Sequence, residues 1–232
     1  MQQLAGACGI WLCLAAPLLA DSETGVVVEL YTSQGCSSCP PADALLADLS
    51  MTSGVIPLAL HVDYWDYIGW ADTFGDPKFS ARQKAYAHAA GEKMIYTPQM
   101  IVEGALRVEG NQPSAVDAAI RAAQDQVSPV GLTLERQAGS VEITAMPLAG
   151  LPDDMVIQLV RYRARQEVEI ERGENEGLNV AYHNIVLSWT QVGEWAGDEP
   201  LQMTVPAPGD DGVVVIIQTE GPGAIVAAAR LK

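Results

Sequence analysis

The sequence predicts an α/β domain over residues 21–127, followed by an all-β domain, an antiparallel sandwich, over residues 128–232. Three observations lead to this fold class. Up to residue 127, apolar runs of strand type alternate with stretches of helical periodicity. A Cys-x-x-Cys (CxxC) motif, Cys36 to Cys39, follows the first apolar run. From Val130 onward, short apolar runs are separated by turn residues, which is typical of antiparallel sheets.

The composition is that of a folded, acidic protein. Hydrophobic residues make up 49% of the 232 positions, enough to build a core and too many for global disorder. The chain carries 13 basic and 29 acidic residues, a formal net charge of −16. Nucleic-acid binding requires a basic surface, so this charge argues against nucleic-acid partners. It also disfavours association with anionic membranes.

Residues 1–20 are mostly apolar and have no charged side chain, and small residues follow the apolar stretch. This pattern is typical of a secretory signal peptide, with Leu18–Ala20 as the cleavage site. An uncleaved N-terminal anchor is the alternative, because the segment lacks a basic residue. Cleavage would remove Cys8 and Cys13 and leave only the cysteines of the motif. We therefore expect an exported protein, periplasmic or secreted, without stable membrane association after cleavage.

The first predicted strand, Val26–Tyr31, is a continuous apolar run, as expected of a central strand buried on both faces. Glu29 interrupts this run with a carboxylate. Such a residue usually lies at an edge or at a polar end of a strand. In the functional alternative, Glu29 accepts a proton near a buried cysteine during thiol exchange.

The motif lies where a helix is predicted to begin, and this helix extends from about Ser37 to Leu49. Its apolar residues follow a three–four spacing, and the prolines at 40 and 41 suit a first turn. Cysteines three positions apart on one turn lie close enough to form a disulfide. The free N–H groups and the dipole of a helix N-terminus stabilise a thiolate. We expect Cys36 to be more exposed and more acidic than Cys39.

The remaining elements of the first domain complete the order β-α-β-α-β-β-α. Proline normally avoids central strands, yet Pro98 stands at the head of an apolar run, after Thr97. We expect the Thr97–Pro98 peptide bond to be cis, which would bring the backbone close to Cys36. The predicted elements are a strand over Val55–Val62, a helix from Asp76 to about Ala90, strands after Pro98 and over Leu106–Val108, and a helix from about Asn111 to near Gln126.

The second domain is predicted to contain eight short strands and no residues with catalytic spacing. His183 stands alone among apolar residues and is interpreted as structural. The predicted strands are Gly131–Arg136, Val141–Pro147, Met155–Arg163, Glu167–Glu171, Asn179–Trp189, Leu201–Val205, Val213–Thr219 and Ala224–Leu231.

Four segments of the chain are similar to the motifs of a known protein family: VVELYTSQGCSSCPPAD, HVDYWDYIGW…DPKFSARQKAY, YTPQMIVEG and RGENEGLNVAYHN…GEW. On these motifs, which cover nearly the whole chain after residue 20, the chain resembles the secreted thioredoxin-like family known as domain of unknown function 1223. The resemblance implies a thioredoxin-like fold and export, and it supplies no reaction. It also implies that Cys36 is the exposed nucleophile, Cys39 the resolving thiol and Pro98 the cis-proline beside them.

The main functional hypothesis is a thiol–disulfide oxidoreductase that acts on a protein or small-thiol partner without a cofactor or a metal. Cys36 would attack a partner disulfide and Cys39 would resolve the mixed disulfide, or the reverse sequence would oxidise a partner. Tyr64 and Trp65, in an aromatic-rich loop, would rim a substrate groove, and Thr97 would pair with an extended substrate. Alternatively, the aromatic residues cover a sheet edge or the domain junction.

Two other functions stay open. Cys36 and Cys39 are soft ligands suited to Cu(I), and His61 ends the neighbouring strand, so the protein could handle copper. The competing interpretation is that His61 is packed in the core. In the third hypothesis the dithiol is idle, and the sandwich domain recognises a partner as a non-catalytic binding module.

Overall fold

The computed structural model describes residues 22–231, so the predicted signal peptide and its cleavage site lie outside the described residues. Within this range the chain forms twelve strands and three α-helices. The strands are β1 (Glu23–Thr24), β2 (Val26–Thr32), β3 (Val55–His61), β4 (Gln99–Val102), β5 (Leu106–Glu109), β6 (Val130–Gln137), β7 (Ser140–Pro147), β8 (Met155–Glu169), β9 (Asn179–Trp195), β10 (Leu201–Pro206), β11 (Gly212–Thr219) and β12 (Ile225–Leu231). The helices are α1 (Pro40–Ser50), α2 (Pro77–Ala89) and α3 (Pro113–Gln124).

The predicted fold class is wrong. The structure is not an α/β thioredoxin-like domain followed by a β-sandwich domain. It is mostly β, with one large curled sheet of nine strands in the order β1-β12-β11-β8-β9-β3-β2-β4-β5. This sheet takes strands from both sides of residue 127. The other three strands form a small sheet in the order β10-β7-β6.

The pairing of β9 with β3 makes the large sheet continuous. β8 and β9 are 15 and 17 residues long and pair antiparallel from end to end. β9 also runs beside β3, with Ile185 opposite Ala59, and Asn184 Nδ2 donates to Pro57 O at 2.8 Å. A bare edge of β3 would leave backbone N–H and C=O groups unpaired, and β9 covers that edge.

Three apolar clusters hold the sheets and helices together. One lies between α1, α3 and one face of β2, β3 and β4. A second lies on the opposite face of the large sheet, where α2 packs. The third fills the space between the three-stranded sheet and β8, β11 and β12. The CxxC motif lies at the border of the first cluster, because it connects β2 to α1.

Each helix begins with a proline, at Pro40, Pro77 and Pro113, where the missing N–H breaks no helical hydrogen bond. Helix α1 therefore begins at Pro40 rather than at Ser37, and Cys39 is its N-cap. The CxxC motif lies ahead of the helix instead of within its first turn. Among residues 22–231, no helix is long and apolar enough to cross a membrane.

Candidate functional site

The CxxC loop connects the end of β2 to the start of α1. A disulfide joins Cys36 and Cys39, as the spacing predicted. Cys36 N donates to Ser33 O at 3.1 Å and Cys39 N donates to Cys36 O at 3.2 Å, which makes two tight turns. Cys39 O then accepts from the N–H groups of Ala42 and Asp43 at 2.8 and 3.1 Å. The disulfide therefore lies at the N-terminal end of α1.

The prediction that Cys36 is exposed is wrong. Cys36 is 1% exposed and Cys39 is 0% exposed. Ser37 and Ser38, between them, are exposed, and Ser38 Oγ lies 3.4 Å from Cys36 Sγ. Cys36 does not cap the helix, and loops from the segments before α2 and between β8 and β9 pack on the CxxC loop. The two serines thus reach solvent while the sulfur atoms do not.

The Thr97–Pro98 peptide bond is cis, which confirms that prediction. Pro98 is buried just before β4. A Cβ atom on Gly110 would lie 3.1 Å from Pro98 Cβ and 3.3 Å from Ala42 Cβ, so Pro98 lies close to the first turn of α1. Thr97 O accepts from Ser38 Oγ at 3.5 Å. Thr97 and Pro98 therefore lie beside the CxxC loop.

The loop between β3 and α2 brings its aromatic residues to Thr97. Trp65 Nε1 donates to Thr97 Oγ1 at 2.7 Å, and Tyr64 OH donates to Gln83 Oε1 at 3.1 Å. A Cβ atom on Gly35 would lie 3.4 Å from Trp65 Cβ, so this aromatic loop packs against the CxxC loop. The structure brings Thr97, Tyr64 and Trp65 together, and their role in substrate binding stays a prediction.

Residues 171–178, between β8 and β9, form a second covering loop, termed the cap loop. Asn175 is buried in it. Asn175 Nδ2 donates to Gln34 O at 2.8 Å and to Cys36 O at 2.9 Å. The asparagine therefore holds two carbonyl groups of the CxxC loop, one on each side of Gly35.

Backbone hydrogen bonds join the two ends of the cap loop, and most of its residues are exposed to solvent. Ile170 N donates to Leu178 O at 2.9 Å, and Gly177 N donates to Ile170 O at 2.8 Å. A Cβ atom on Gly173 would lie 3.3 Å from Trp70 Cβ, so the cap loop also contacts the aromatic loop. The asparagine is its only buried residue, so its side chain anchors the cap loop to the CxxC loop.

Glu29 is fully buried in β2 and belongs to an ion pair. Its carboxylate accepts two hydrogen bonds from Arg82, each 2.8 Å long. Tyr31 OH and Tyr86 OH also donate to it, at 2.8 and 2.7 Å. These partners lie on α2 and on the same strand rather than in the CxxC loop. A role for Glu29 as a proton acceptor stays a prediction.

Arg82 links α2 to the C-terminal strands. Its guanidinium carbon lies 3.8 Å from the centroid of the Trp189 ring, and its Nη2 donates to Gln218 Oε1 at 3.1 Å. Burial lowers the pKa of Arg82, but Glu29 raises this pKa more, so the net shift is upward. Arg82 therefore stays charged beside the Glu29 carboxyl group.

His61 ends β3 and is fully buried. Its Nδ1 lies 2.7 Å from Asp72 Oδ2, while its Nε2 has no hydrogen-bond partner. Asp72 Oδ2 also accepts from Gln34 N at 2.8 Å. The rings of Phe74 and Tyr182 pack edgewise on His61, with centroids 5.1 and 4.9 Å away. Asp72 thus connects the buried imidazole to the CxxC loop.

Asp43, on α1, is a second buried carboxyl group at this end of the helix. Its Oδ1 accepts from Thr32 Oγ1 at 2.8 Å, whereas its Oδ2 has no hydrogen-bond partner. Burial raises the pKa of Asp43 from 3.8 to about 7, against smaller lowering effects of His61 and the Thr32 hydrogen bond, while Asp72 raises it further. Asp43 can therefore exchange a proton near neutral pH.

Within residues 22–231, no group of three or more His, Cys, Asp or Glu residues is placed to hold a metal ion. The Nδ1 atom of His61 is engaged by Asp72. The geometry of the described residues therefore gives the copper hypothesis no support.

Three residues of this site are not among those predicted from the sequence: Asp43, Asp72 and Asn175. Asp43 could have been found from spacing, because it lies four positions after Cys39 and hence on the same side of the helix. Asp72 and Asn175 come from segments far along the chain. Only the tertiary fold brings them to the CxxC loop, although Asn175 lies within the RGENEGLNVAYHN segment that carries the family resemblance.

The fold and the site define a mainly β protein that carries a covered CxxC disulfide between a large sheet and a helix. Residues 27–218 match the family described as Protein of unknown function (DUF1223), so the chain belongs to that family. This finding confirms the family that the motifs predicted.

Two solved structures are similar to this chain. A protein of Agrobacterium tumefaciens, AGR_C_4864, has 32% sequence identity and a TM-score of 0.78, over 90% of this chain and 94% of that chain. HBP35 of Porphyromonas gingivalis has 14% identity and a TM-score of 0.64, over 90% of this chain and 74% of that chain. At 14% identity the likeness concerns the fold alone. Comparison with the curated proteins finds no match.

Proposed function

We propose that this protein is a thiol–disulfide oxidoreductase that uses Cys36 and Cys39. The observation that carries the proposal is the disulfide ahead of α1, between cysteines only three positions apart. Closing so short a loop removes little entropy from the unfolded chain, so the bond contributes little to holding a chain of 232 residues together. A redox role therefore accounts for the pair better than a structural role.

The reaction uses the two sulfur atoms in turn. In the reduced protein, the Cys36 thiolate attacks one sulfur of a partner disulfide, and the other partner sulfur leaves as a thiolate. Cys39 then loses its proton and attacks Cys36 Sγ, which reforms the disulfide and releases the second partner thiolate. Two electrons pass from the protein to the partner, and the reverse sequence oxidises a partner dithiol.

Two features favour a thiolate at Cys36. The N-terminus of α1, which begins with two prolines and so offers no N–H group in its first two positions, contributes the positive end of the helix dipole nearby. Ser38 Oγ, 3.4 Å from Cys36 Sγ, can donate a hydrogen bond to the thiolate once the disulfide is reduced. The Ser38 contact distinguishes the two cysteines and supports Cys36 as the attacking thiol.

Cys36 is only 1% exposed, so a partner can reach its sulfur only when a neighbouring segment moves. In this proposal that segment is the cap loop, which Asn175 anchors to the carbonyl of Cys36. Apart from Asn175, no residue of the cap loop is buried. Opening it therefore exposes little apolar surface, as in other segments of low local stability. The cap loop acts in this proposal as a gate over the disulfide.

The proposed partner is a protein or small-molecule thiol or disulfide. Tyr64 and Trp65 supply rings with polar ends at the rim of the site, and Thr97 lies between Trp65 and Ser38. We also propose export to the periplasm or outside the cell, based on the apolar residues 1–20. Such oxidising compartments favour disulfide chemistry.

Changing Asn175 to Ala should make the disulfide easier to reduce. The substitution removes the two hydrogen bonds that anchor the cap loop to the CxxC loop. A loss of about 1.4 kcal/mol raises the open population about tenfold, so we expect dithiothreitol to reduce the disulfide about tenfold faster. The rate is measured by alkylating the released thiols over time and counting them by mass spectrometry.

Asn179→Ala is the matched control, because Asn179 is exposed at the start of β9. It should be reduced at the wild-type rate. Equal rates in the wild type and in both variants would contradict the view that the cap loop limits access to Cys36.

The proposed function is tested by the reduction potential of the Cys36–Cys39 pair. The protein is equilibrated with glutathione buffers of graded composition, and the reduced fraction is measured after alkylation of the thiols. We expect a potential between roughly −270 and −120 mV, the range of redox-active CxxC proteins. A potential below about −300 mV, which is typical of structural disulfides, would reject the proposal.

A further inference from the structure

Two buried side-chain atoms near the disulfide, Asp43 Oδ2 and His61 Nε2, have no hydrogen-bond partner. Buried polar atoms are normally paired, so each unpaired one calls for an explanation, and a redox or catalytic role is one such explanation. Asp43 lies on α1, directly after the CxxC loop, and His61 is linked to that loop through Asp72. Their placement therefore bears on the chemistry of the dithiol.

The strand register places the two groups on the same side of the sheet. Thr32 and His61 are opposite each other on the parallel strands β2 and β3, so their side chains point to the same face. Two positions earlier on each strand, Leu30 and Ala59 pack in the cluster that contains α1. The hydrogen bond from Thr32 to Asp43 confirms that this is the α1 face.

Asp43 is also tied to the buried cysteine. Its N–H donates to Cys39 O at 3.1 Å, and residues four apart on a helix lie on the same side. From the other direction, Asp72 Oδ2 joins His61 Nδ1 at 2.7 Å and the N–H of Gln34 at 2.8 Å. The carboxyl group and the imidazole–carboxylate pair therefore flank the CxxC loop from inside the protein.

We propose that Asp43 accepts the proton of Cys39 when Cys39 attacks the mixed disulfide, and that His61 and Asp72 set the protonation of Asp43. The inference rests on the proposed oxidoreductase function. The Cys39 S–H bond breaks and its proton goes to Asp43. Cys39 Sγ bonds to Cys36 Sγ, and the bond from Cys36 to the partner sulfur breaks. The partner leaves as a thiolate with the electron pair, and Asp43 later releases the proton to solvent.

Asp43 suits this task better than Glu29, the carboxylate that the sequence suggested. Glu29 is held in two hydrogen bonds by Arg82, and an arginine does not lose its proton. Asp43 has a free oxygen, and burial raises its pKa to about 7. A base is most effective when its pKa lies near the working pH.

Four neighbouring groups face Asp43 and govern its titration. Thr32 of β2 donates to its Oδ1. His61 of β3 lowers its pKa, while Asp72 raises it. Tyr182 of β9 stays protonated, because burial and then Asp43 and Asp72 raise the pKa of the phenol. Of the two neighbours that lower the pKa of Asp43, His61 has the larger effect, so removal of the imidazole should raise this pKa.

The test follows both thiols in one reaction with 5,5′-dithiobis(2-nitrobenzoate), a disulfide that releases a coloured thiolate at each step. Cys8 and Cys13 are changed to Ser in every protein, so only the motif reacts. The first phase of colour reports attack by Cys36. The second phase reports attack by Cys39 on the mixed disulfide, and we expect its rate to rise with pH through a midpoint near 7.

Asp43→Asn should slow the second phase about tenfold or more and abolish its midpoint near pH 7, leaving the first phase unchanged. Asp48→Asn is the matched control, since Asp48 is exposed on the same helix, and it should behave as the wild type. His61→Gln should move the midpoint of the second phase to higher pH. If Asp43→Asn does not fold, this shift tests the proposal in its place.

The outcomes separate the two proposals. An unchanged second phase in Asp43→Asn overturns the role of Asp43 and leaves the oxidoreductase function intact. An unchanged midpoint in folded His61→Gln overturns the role of His61. A wild-type protein whose reduced thiols give no first phase overturns the proposed function itself.

Discussion

Arg82→Ala should lower the free energy of unfolding by about 3–5 kcal/mol. Glu29 is fully buried, and the substitution removes two of the hydrogen bonds that its carboxylate accepts. A buried charge left without its partner keeps its desolvation penalty and loses the attraction that offsets it. The change also removes the guanidinium that stacks on Trp189 at 3.8 Å. Urea unfolding at pH 7, followed by tryptophan fluorescence, measures the loss.

Arg121→Ala is the matched control, because Arg121 is also a helical arginine that pairs with a carboxylate, here that of Asp117 one turn earlier on α3. The side chains of this pair are 71% and 56% exposed, and exposed pairs contribute only about 0.2–1 kcal/mol. Combining Glu29→Gln with Arg82→Ala should restore part of the stability, since it removes the unpaired charge. A loss below about 1 kcal/mol for Arg82→Ala would contradict an ion pair at Glu29.

Local patterns in the sequence predicted most single elements correctly. The strand predicted over Gly131–Arg136 is β6, and the one over Val213–Thr219 is nearly all of β11. Apolar alternation and flanking turn residues mark such strands, so no tertiary information is needed. Asp76, followed by a proline, likewise marked the start of α2.

The assembly of those elements was predicted poorly, because it depends on contacts between distant segments. Beyond Arg163, β8 continues with exposed and charged residues, so the sequence pattern predicts a separate strand over Glu167–Glu171. The contact between β9 and β3 has no local signature. These two features turn a predicted pair of domains into one nine-stranded sheet.

The candidate site was likewise predictable only in part. Tyr64 and Trp65 are predicted near the motif because loops at strand ends carry function, and Thr97 because a cis Pro98 brings the backbone close to Cys36. The burial of Cys36 was not predictable in this way. Segments far along the chain pack on the CxxC loop, and Asn175, whose side chain donates to Cys36 O, is more than a hundred positions away in the sequence.

Single replacements of the two cysteines should have opposite effects on mixed disulfides. In reduced Cys39→Ser, Cys36 can attack a partner disulfide, but no second thiol can release the product. This variant should therefore accumulate a stable adduct. In Cys36→Ser, the remaining Cys39 lacks the Ser38 contact and is fully buried at the start of α1. It should form the adduct at least about tenfold more slowly. The wild type should return to its internal disulfide and keep no adduct.

The most direct measurement is the intact mass of each reduced variant after incubation with oxidised glutathione, with Cys8 and Cys13 changed to Ser throughout. The account predicts one glutathione per chain in Cys39→Ser, little in Cys36→Ser within the same time, and none in the wild type. Equal rates of adduct formation in the two variants would contradict the assignment of Cys36 as the attacking thiol. The absence of any adduct in folded Cys39→Ser would contradict thiol–disulfide exchange as the function of this protein.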